Sequence, residues 1–345
     1  SPLNKELINL LMKIQKKLKW VVVGDIIANI HGLQHMISSH DIILNNLSEI
    51  YELQPDLLIT FGKTVLSKSL KTFIRTNQPA EHWQIGEDHE VIDAFKSLTK
   101  KVLLNPIVFF KIVEESSLVL NKTQNNYFNR WKEKELQANA FVGKYFKVEK
   151  FSEFHAVQKV IAQLPEPCHL HLANSMPVRY ANFIGIENNK ETEVWANRGT
   201  SGIDGCLSTA LGHAINSSDL NVIVTGDMAF FYDRNALWHS HIPSNLRVVI
   251  LNNHGGGIFR LLNGPKQLDE LEEYFETRQN LNAANTARDF GMKYFMVKTM
   301  DALPEILGQF FKEKTGPSIL EIETDPKINR QVFEDFNQKA IQLWD

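Results

Sequence analysis

The chain has 345 residues, of which 43% are hydrophobic and 22% are charged, so its composition is that of a globular protein with room for roughly two domains. Its 37 basic and 40 acidic residues leave a net charge of −3, which provides no broad attraction for nucleic acid or an anionic membrane. No run of the sequence approaches the roughly 20 apolar residues of a membrane-spanning helix. We therefore expect small-molecule or protein partners, no nucleic acid and no integral membrane segment.

The two cysteines, Cys168 and Cys206, lie in segments with the pattern of a buried strand and a buried helix face. This placement argues against a disulfide framework and favours free core thiols in a reducing cytoplasm. Near the N-terminus, apolar residues recur at helical spacing from Leu7 to Leu18, and lysines follow this stripe instead of preceding it. The order predicts a surface helix and not a secretory signal peptide.

Helical and β-branched segments alternate along the chain, a rhythm that is typical of parallel sheets with crossover helices. Residues 111–150 are rich in Lys, Glu, Asn and Gln, which indicates a helical connector. The predicted fold class is α/β, with two doubly wound domains whose mainly parallel sheets are flanked by helices. We assign residues 1–145 to a Rossmann-like domain that includes the connector, and residues 146–345 to a second domain. In the second domain we expect helices to begin at Ile203 and Tyr232.

Two strands of the second domain end in polar residues. The segment VIVTGD ends in Gly226 and Asp227, and the segment LRVVILNN ends in Asn252 and Asn253. In open α/β sheets, ligands bind at the carboxyl ends of the strands, because the loops there vary while the strands hold them in place. The two polar ends are therefore predicted to share one ligand site.

These residue types suit a magnesium ion that also binds phosphate. Mg²⁺ takes octahedral oxygen ligands and needs only one or two protein carboxylates when phosphate oxygens complete its shell. Asp227 offers a carboxylate, Asn253 an amide oxygen and Gly255 a backbone carbonyl, while Gly226 allows the main chain to approach a phosphate closely. Taken singly, a strand-terminal Asp more often caps a helix, and an Asn pair before glycines more often forms a turn. Only the combination favours a metal site.

The spacing resembles the signature of the thiamine-diphosphate-dependent enzyme family, in which Gly-Asp-Gly precedes Asn-Asn by about 25 to 30 residues. Asp227 and Asn253 are 26 positions apart, and Met228 departs from the third position of the signature without moving either metal ligand. Three longer segments are similar to the synthases of menaquinone biosynthesis within that family. They are NSMPVR from Asn174, ANRGTSGIDG from Ala196 and NNHGGGIF from Asn252.

The resemblance implies that residues 146–345 bind thiamine diphosphate together with Mg²⁺ or Mn²⁺. It implies a transferase that decarboxylates 2-oxoglutarate and adds the succinyl semialdehyde unit to isochorismate by conjugate addition. Both substrates carry carboxylates, which arginine can bind bidentately. The resemblance further implies a homodimer or homotetramer, and a cofactor-activating glutamate on an N-terminal domain that we do not find here. We therefore expect this chain alone to be inactive.

The same resemblance implies roles for individual residues. Ile203 is expected to support the bent conformation of the cofactor, and Ile258 and Phe259 to form a catalytic apolar wall beside its thiazolium ring. The expected substrate-binding residues are Ser175, Arg179, Arg198, Leu262 and Lys68. The expected cofactor-binding residues are Gly226, Met228, Ala229, Gly199 and Ile203. The expected metal ligands are Asp227, Asn253 and Gly255.

Two alternatives remain open at this point. A different thiamine-diphosphate enzyme, such as one similar to acetolactate synthase, would share the metal residues but not the loops around Arg179 and Arg198. A non-catalytic α/β module with a degenerate cofactor site would share only the fold. Among single residues, either arginine could be a solvated surface charge, Ile203 could be an ordinary core residue, and Lys68 could be an ordinary exposed lysine.

Overall fold

The structure, a computed structural model, describes residues 4–45, 50–187, 190–238, 240–312 and 316–344. The chain divides into two compact units. Unit 1 contains the described residues up to Gly143, together with Glu187 and the residues from Lys339 onward. Unit 2 contains Lys144–Ile186 and Lys190–Gln338.

Parallel strand pairing organises unit 1. Strands β1 and β2 pair in one sheet, and β3, β4 and β5 pair in that order in another. Short 3₁₀ turns lie at Ile26–Ala28 and Ile50–Leu53. The helices and strands up to α5, whose last two residues belong to unit 2, are α1 (Lys5–Leu18), β1 (Val22–Val23), β2 (Met36–Ile37), α2 (His40–Ile43), β3 (Leu57–Phe61), α3 (Lys68–Thr76), β4 (Glu81–Ile85), β5 (Lys100–Val102), α4 (Pro106–Glu115) and α5 (Lys122–Tyr145).

Helix α1 follows directly from the pattern of its sequence. The Asn4 side chain accepts a hydrogen bond from the Leu7 N–H at 2.9 Å and so satisfies a free donor of the first helical turn. One face of the helix, which includes Leu11, Ile14 and Leu18, is buried in a core shared with apolar residues of α4. The helix predicted from the apolar spacing is confirmed.

Unit 2 contains one six-stranded sheet in the order β10-β11-β9-β8-β6-β7, in which every neighbouring pair is parallel. Further 3₁₀ turns lie at Arg234–Trp238, Gly257–Arg260 and Pro265–Gln267, and a π-helical turn lies at Leu271–Phe275. The helices and strands of the unit are α6 (Glu153–Ala162), β6 (Cys168–Leu172), α7 (Met176–Ile184), β7 (Thr192–Trp195), α8 (Cys206–Ile215), β8 (Leu220–Gly226), α9 (Asp227–Asp233), β9 (Leu246–Asn252), α10 (Ala284–Asp289), β10 (Lys293–Val297), α11 (Leu303–Phe310), β11 (Ser318–Glu323) and α12 (Pro326–Gln342), whose residues from Lys339 onward belong to unit 1.

The two central strands of this sheet carry the polar ends of interest. Every residue of β9 is buried, as are the inner residues of β8. Continuous burial explains why both strands are rich in Val, Ile and Leu. A parallel sheet that is covered on both faces needs apolar side chains on each face. The α/β class with mainly parallel sheets is confirmed.

Two predicted helix starts were wrong. Helix α8 begins at Cys206 and not at Ile203, because Gly205 has a left-handed φ of 69° that ends the preceding turn there. Helix α9 begins at Asp227 and not at Tyr232, so the aspartate starts the helix immediately after its strand. These shifts place Ile203 in a turn and Asp227 at a strand–helix junction.

Both cysteines are buried and free, as the sequence predicted for core thiols. Burial, the largest cause, raises the pKa of Cys168 to about 11 and also raises the pKa of Cys206. Among the residues that the structure describes, no helix combines the length and the apolar character that crossing a membrane requires.

Candidate functional site

The candidate site lies at the carboxyl edge of the unit 2 sheet. Strands β8 and β9 are parallel neighbours, with Gly226 in register with Leu251. Asp227, the residue after β8, therefore lies beside Asn252, the last residue of β9, and Asn253 comes next. The structure thus brings together the two polar strand ends that the sequence predicted to meet.

Asp227 provides a buried carboxyl group with neutral hydrogen-bond donors around it. The residue is 2% exposed. Its Oδ1 accepts a hydrogen bond from the Met228 N–H, and its Oδ2 accepts one from Gln279 Nε2, each at 2.8 Å. Burial raises the pKa of Asp227 to about 6, although the hydrogen bonds from Gln279 and Met228 act in the opposite direction. Because burial disfavours its negative charge, a cation at this position would stabilise the carboxylate.

Asn253 provides an acceptor that is not used within the described chain. Its Nδ2 donates to Glu153 Oε1 at 2.8 Å. Its Oδ1 is buried and has no hydrogen-bond partner among the residues that the structure describes. A buried polar atom in this state costs about 1–3 kcal/mol. A ligand that binds this oxygen would remove the cost. A hard cation such as Mg²⁺ binds oxygen atoms and is therefore a suitable ligand.

The neighbouring asparagine has a structural role instead. Asn252 Nδ2 donates to Glu321 Oε1 at 2.5 Å and to the Leu281 carbonyl at 3.0 Å. Its Oδ1 accepts the His254 N–H at 3.0 Å. Asn252 therefore ties the loop after β9 to other parts of unit 2, and Asn253 is the member of the pair that remains available to a ligand.

The glycines after the asparagines allow close packing of this loop. A Cβ atom added to Gly255 would lie 2.7 Å from the Glu276 carbonyl oxygen, and one added to Gly257 would lie 2.6 Å from Asn253 Nδ2. The Gly256 N–H donates to the same Glu276 carbonyl at 2.8 Å. The Gly255 carbonyl accepts the Gly257 N–H at 3.0 Å and keeps its second lone pair for another partner.

These groups fit a magnesium ion bound with a diphosphate. In the described part of the chain, no group of three or more His, Cys, Asp or Glu side chains is arranged to hold a metal. A carboxylate, an unpartnered amide oxygen and a carbonyl oxygen suit the ion that completes its octahedral shell with phosphate oxygens and water. Cβ atoms added to Gly226 or Gly199 would meet nothing within 4 Å, so there is open space beside both residues.

The two predicted arginines are held by the segment before α7. Arg198 Nη1 donates to Asn174 Oδ1 at 2.6 Å, and Asn174 Nδ2 donates to two main-chain carbonyls of residues 197–202 at 2.7 and 2.6 Å. Arg179 Nη1 donates to the Ser175 carbonyl. Both arginines are half-buried. Ser175 has a φ of 75° and a ψ of −129°, a strained backbone conformation that persists only where its surroundings enforce it and that is frequent at functional sites.

The predicted apolar wall is only partly buried. Ile203 packs against the core of unit 2 from the turn before α8. Ile258 and Phe259 are half-buried in the 3₁₀ turn after the glycines, and the Phe259 ring lies with its centroid 5.7 Å from that of Phe275. Leu262 is 43% exposed. The roles expected for these side chains stay predictions.

The remaining predicted residues differ in their surroundings. Met228 is half-buried and gives its N–H to Asp227, as described above. The Ala229 side chain belongs to the hydrophobic core, so a cofactor could contact this residue only through its main chain. Lys68 is exposed at the start of α3 in unit 1, where Ser67 Oγ caps the helix. Their predicted roles also remain predictions.

Sequence reasoning missed two polar residues of the site, the half-buried Gln279 and the buried Glu153. Glu153 is 3% exposed, and its Oε2 accepts a hydrogen bond from the Tyr180 hydroxyl at 3.2 Å. Burial, followed by the charge of Asp227, raises the pKa of Glu153 to about 8. In the sequence, Glu153 follows Ser152 at a helix start, where an acidic residue is common for reasons of helix stability alone. No local signal separates it from such residues.

Comparison with known proteins identifies the family. A model described as the middle domain of thiamine pyrophosphate enzymes matches residues 2–172. A second model, described as the thiamine pyrophosphate enzyme C-terminal TPP binding domain, matches residues 176–322. The chain belongs to the thiamine-diphosphate-dependent enzymes. The family resemblance recognised from the spacing of Asp227 and Asn253 is confirmed.

Three individual relatives that are similar to the chain share the same protein name. The chain is 45% identical over 323 residues to the 2-succinyl-5-enolpyruvyl-6-hydroxy-3-cyclohexene-1-carboxylate synthase of Cytophaga hutchinsonii, covering 93% of this chain and 57% of the relative. It is 35% identical over 319 residues to the synthase of that name from Flavobacterium johnsoniae, covering 92% and 56%. It is 37% identical over 287 residues to that of Bacteroides fragilis, covering 82% and 49%. The chain thus spans about half the length of these curated relatives.

Proposed function

We propose that the protein containing this chain is a thiamine-diphosphate-dependent and Mg²⁺-dependent 2-succinyl-5-enolpyruvyl-6-hydroxy-3-cyclohexene-1-carboxylate synthase. In this reaction 2-oxoglutarate loses carbon dioxide, and the succinyl semialdehyde unit adds to isochorismate without loss of pyruvate. The name of relatives that are 45% and 35% identical supports the proposal. The structural observation that carries it is the buried, unpartnered Oδ1 of Asn253 at the strand edge that also holds Asp227, within the described residues.

The metal and the cofactor have separate sets of protein contacts in this proposal. Asp227 and Asn253 bind Mg²⁺ through their side-chain oxygens, and Gly255 binds it through its carbonyl. Mn²⁺ has similar ligand preferences, so we expect it to substitute. The diphosphate lies in the open space beside Gly226 and Gly199. Thiamine diphosphate, when bound, supplies the carbanion chemistry, and the protein supplies binding and orientation.

The substrate side is proposed to consist of charged and apolar parts. Arg179 and Arg198 bind substrate carboxylates, because the planar guanidinium pairs with a carboxylate through two parallel hydrogen bonds. Ser175 adds a hydroxyl group. Ile258 and Phe259 exclude water beside the reacting atoms, which strengthens the electrostatic interactions within the site.

Substitution of the two arginines tests the identity of the substrates. In the full-length protein, Arg179→Ala and Arg198→Ala should each lower kcat/KM by about 10- to 100-fold, since a hydrogen bond to a charged group contributes roughly 1.5–3 kcal/mol. The affinity for thiamine diphosphate, measured by calorimetry, should change little. Arg330→Ala is the matched control, because Arg330 forms an ion pair within α12 with Glu334 at 2.9 Å. Equal losses of substrate use and cofactor affinity would instead favour another thiamine-diphosphate enzyme.

A calorimetric titration with thiamine diphosphate and Mg²⁺ tests the alternative of a non-catalytic module. The full-length protein should bind the cofactor, and the Asp227→Ala variant should bind it far more weakly. Absence of binding, or equal binding by the variant, would favour the module. The proposed assembly is a homodimer or homotetramer, and a monomer observed by light scattering would contradict this part of the proposal.

A further inference from the structure

The two ends of the Asn253 side chain have opposite chemistry. Its Oδ1 can bind a cation, whereas its Nδ2 can only donate hydrogen bonds. Rotation of the amide group by half a turn exchanges the two positions with almost no change in shape. A metal site that uses Asn253 therefore needs a neighbour that distinguishes oxygen from nitrogen.

Glu153 is the neighbour that makes this distinction. Its Oε1 accepts the hydrogen bond from Asn253 Nδ2 at 2.8 Å. In its ionised form the Glu153 carboxyl group offers only acceptors, so the oxygen of the amide cannot then take the place of the nitrogen without placing two acceptors face to face. With Nδ2 held by Glu153, Oδ1 faces away from Glu153, and it is the atom that has no partner among the described residues.

Glu153 is itself fixed from several sides. Its main-chain N–H donates to Asn329 Oδ1 at 2.9 Å, and its Oε2 accepts the Tyr180 hydroxyl at 3.2 Å. It is the first residue of α6 and is 3% exposed. A carboxyl group in this position is costly to bury, yet it forms no ion pair in the described structure; its side-chain partners there are Tyr180 and Asn253.

We propose that Glu153 is a positioning residue that directs Oδ1 of Asn253, and not Nδ2, toward the metal ion. This inference rests on the proposed function, because it presupposes that Asn253 binds Mg²⁺ or Mn²⁺. Partners of this kind orient a ligand without touching the metal, and their loss commonly weakens metal binding by about 10- to 100-fold.

Manganese binding provides a test that does not depend on activity. In the full-length protein with saturating thiamine diphosphate, the concentration of free Mn²⁺ is followed by electron paramagnetic resonance. Glu153→Leu and Glu153→Met remove the acceptor and should each weaken Mn²⁺ binding by about 10- to 100-fold. Glu153→Gln keeps an oxygen that can accept from Asn253 Nδ2 but adds an NH2 group that can donate to Asn253 Oδ1, so its Mn²⁺ affinity should lie between those of the wild type and Glu153→Leu.

Two further variants separate positioning from a general effect on folding. Tyr180→Phe removes the other hydrogen bond of the same carboxyl group but leaves the contact with Asn253, so Mn²⁺ affinity should remain close to that of the wild type. Asn253→Asp presents oxygen in both orientations of the side chain. Combined with Glu153→Leu, it should therefore restore Mn²⁺ affinity, which a merely destabilised fold would not allow.

The outcomes distinguish this inference from the proposed function. If the wild type binds Mn²⁺ and Asp227→Ala does not, but folded Glu153→Leu and Glu153→Met bind like the wild type, the positioning role is wrong and the metal site stands. If Tyr180→Phe weakens binding as much as Glu153→Leu, or if Asn253→Asp fails to restore it, the positioning role is also wrong. If the wild type binds no Mn²⁺ in the presence of thiamine diphosphate, the proposed function fails and this inference fails with it.

Discussion

Each unit contains a Gly-Asp pair after a valine-rich strand, VVVGD in unit 1 and VIVTGD in unit 2, and the two aspartates differ in their partners. In unit 1, Asp25 Oδ1 lies 3.0 Å from Nε2 of the fully buried His40, and Oδ2 accepts the Leu66 N–H at 2.5 Å. Burial alone would raise the pKa of Asp25, but the hydrogen bond and charge of His40, together with main-chain hydrogen bonds from Leu66 and Ser67, outweigh it, so the pKa is lowered. The positive partner of Asp25 is therefore a side chain of unit 1, His40.

In unit 2, the side-chain oxygens of Asp227 receive hydrogen bonds from the neutral amide of Gln279 and the Met228 N–H, and burial raises its pKa to about 6. The two glycines differ as well. A Cβ atom on Gly24 would lie 2.9 Å from Ile30 Cδ1, whereas one on Gly226 would meet nothing within 4 Å. We therefore expect the same dipeptide to serve stability in unit 1 and ligand binding in unit 2, because its surroundings differ.

The largest effect is expected from breaking the pair in unit 1. Asp25→Asn leaves a buried His40 without its anion, and removal of one partner of a buried ion pair costs about 3–5 kcal/mol. Burial lowers the pKa of His40, but its hydrogen bond to Asp25 and the nearby acidic residues, Asp41 among them, raise it overall. The Asp25–His40 pair therefore contributes most to the stability of the fold at pH values between the ordinary pKa values of the two groups. The loss, measured by chemical unfolding without metal, should be largest near pH 5 to 6.

The pH dependence should confirm the sign of each shift. The contribution of Asp25 is lost as the pH falls through its lowered pKa, and that of His40 is lost as the pH rises through its raised pKa. Asp227→Asn is the matched control. Because the pKa of Asp227 is raised, the metal-free wild type loses stability as the pH rises from the ordinary value of 3.8 to about 6, and the loss is complete above about 6. The Asp227→Asn variant should therefore be more stable than the wild type above that pH. Equal losses in both variants would remove the distinction between the two aspartates.

The second effect concerns cofactor binding by the same two variants. Asp227→Asn should weaken Mg²⁺-dependent binding of thiamine diphosphate by roughly 100-fold or more, since even loss of outer partners of a metal ligand costs about 10- to 100-fold. Asp25→Asn, measured by calorimetry at a temperature where it is folded, should retain affinity within a factor of about two. A large loss of affinity in Asp25→Asn would mean that the unit 1 aspartate also serves the cofactor.

The smallest effect is expected from the glycines. Gly24→Ala presses against Ile30 and should lower the free energy of unfolding by about 1 kcal/mol, at the low end of the cost of overpacking. Gly226 has a φ of −79°, which alanine adopts without strain, so Gly226→Ala should leave stability unchanged or slightly raised. Its added methyl group should nevertheless weaken cofactor binding. Thermal unfolding and calorimetry on both variants test this, and a stability loss in Gly226→Ala with unchanged affinity would contradict it.

Sequence reasoning predicted the parts of the fold and site that depend on local patterns. The alternation of helices and strands and the polar residues after β8 and β9 followed from periodicity. The family followed from the resemblance of several sequence segments to a known family. The helix starts at Ile203 and Tyr232 were wrong, because the conformation of Gly205 and the position of Asp227 at a strand–helix junction are not visible in apolar spacing. The predicted cofactor contact of Ala229 stays a prediction; because its side chain packs in the core, the contact would involve its main chain.

The sequence by itself determined that Asp227 and Asn253 lie at the ends of two β-branched segments and therefore come close at the carboxyl edge of a parallel sheet, where each directly follows its strand. Only the tertiary structure decided which groups surround them. Glu153 holds the amide of Asn253 from 100 positions away, and His40 neutralises Asp25 after an intervening turn and strand. The physical reason is that a strand end follows from short-range backbone and side-chain preferences, whereas the charge and orientation of a buried polar group depend on partners that packing alone brings into contact.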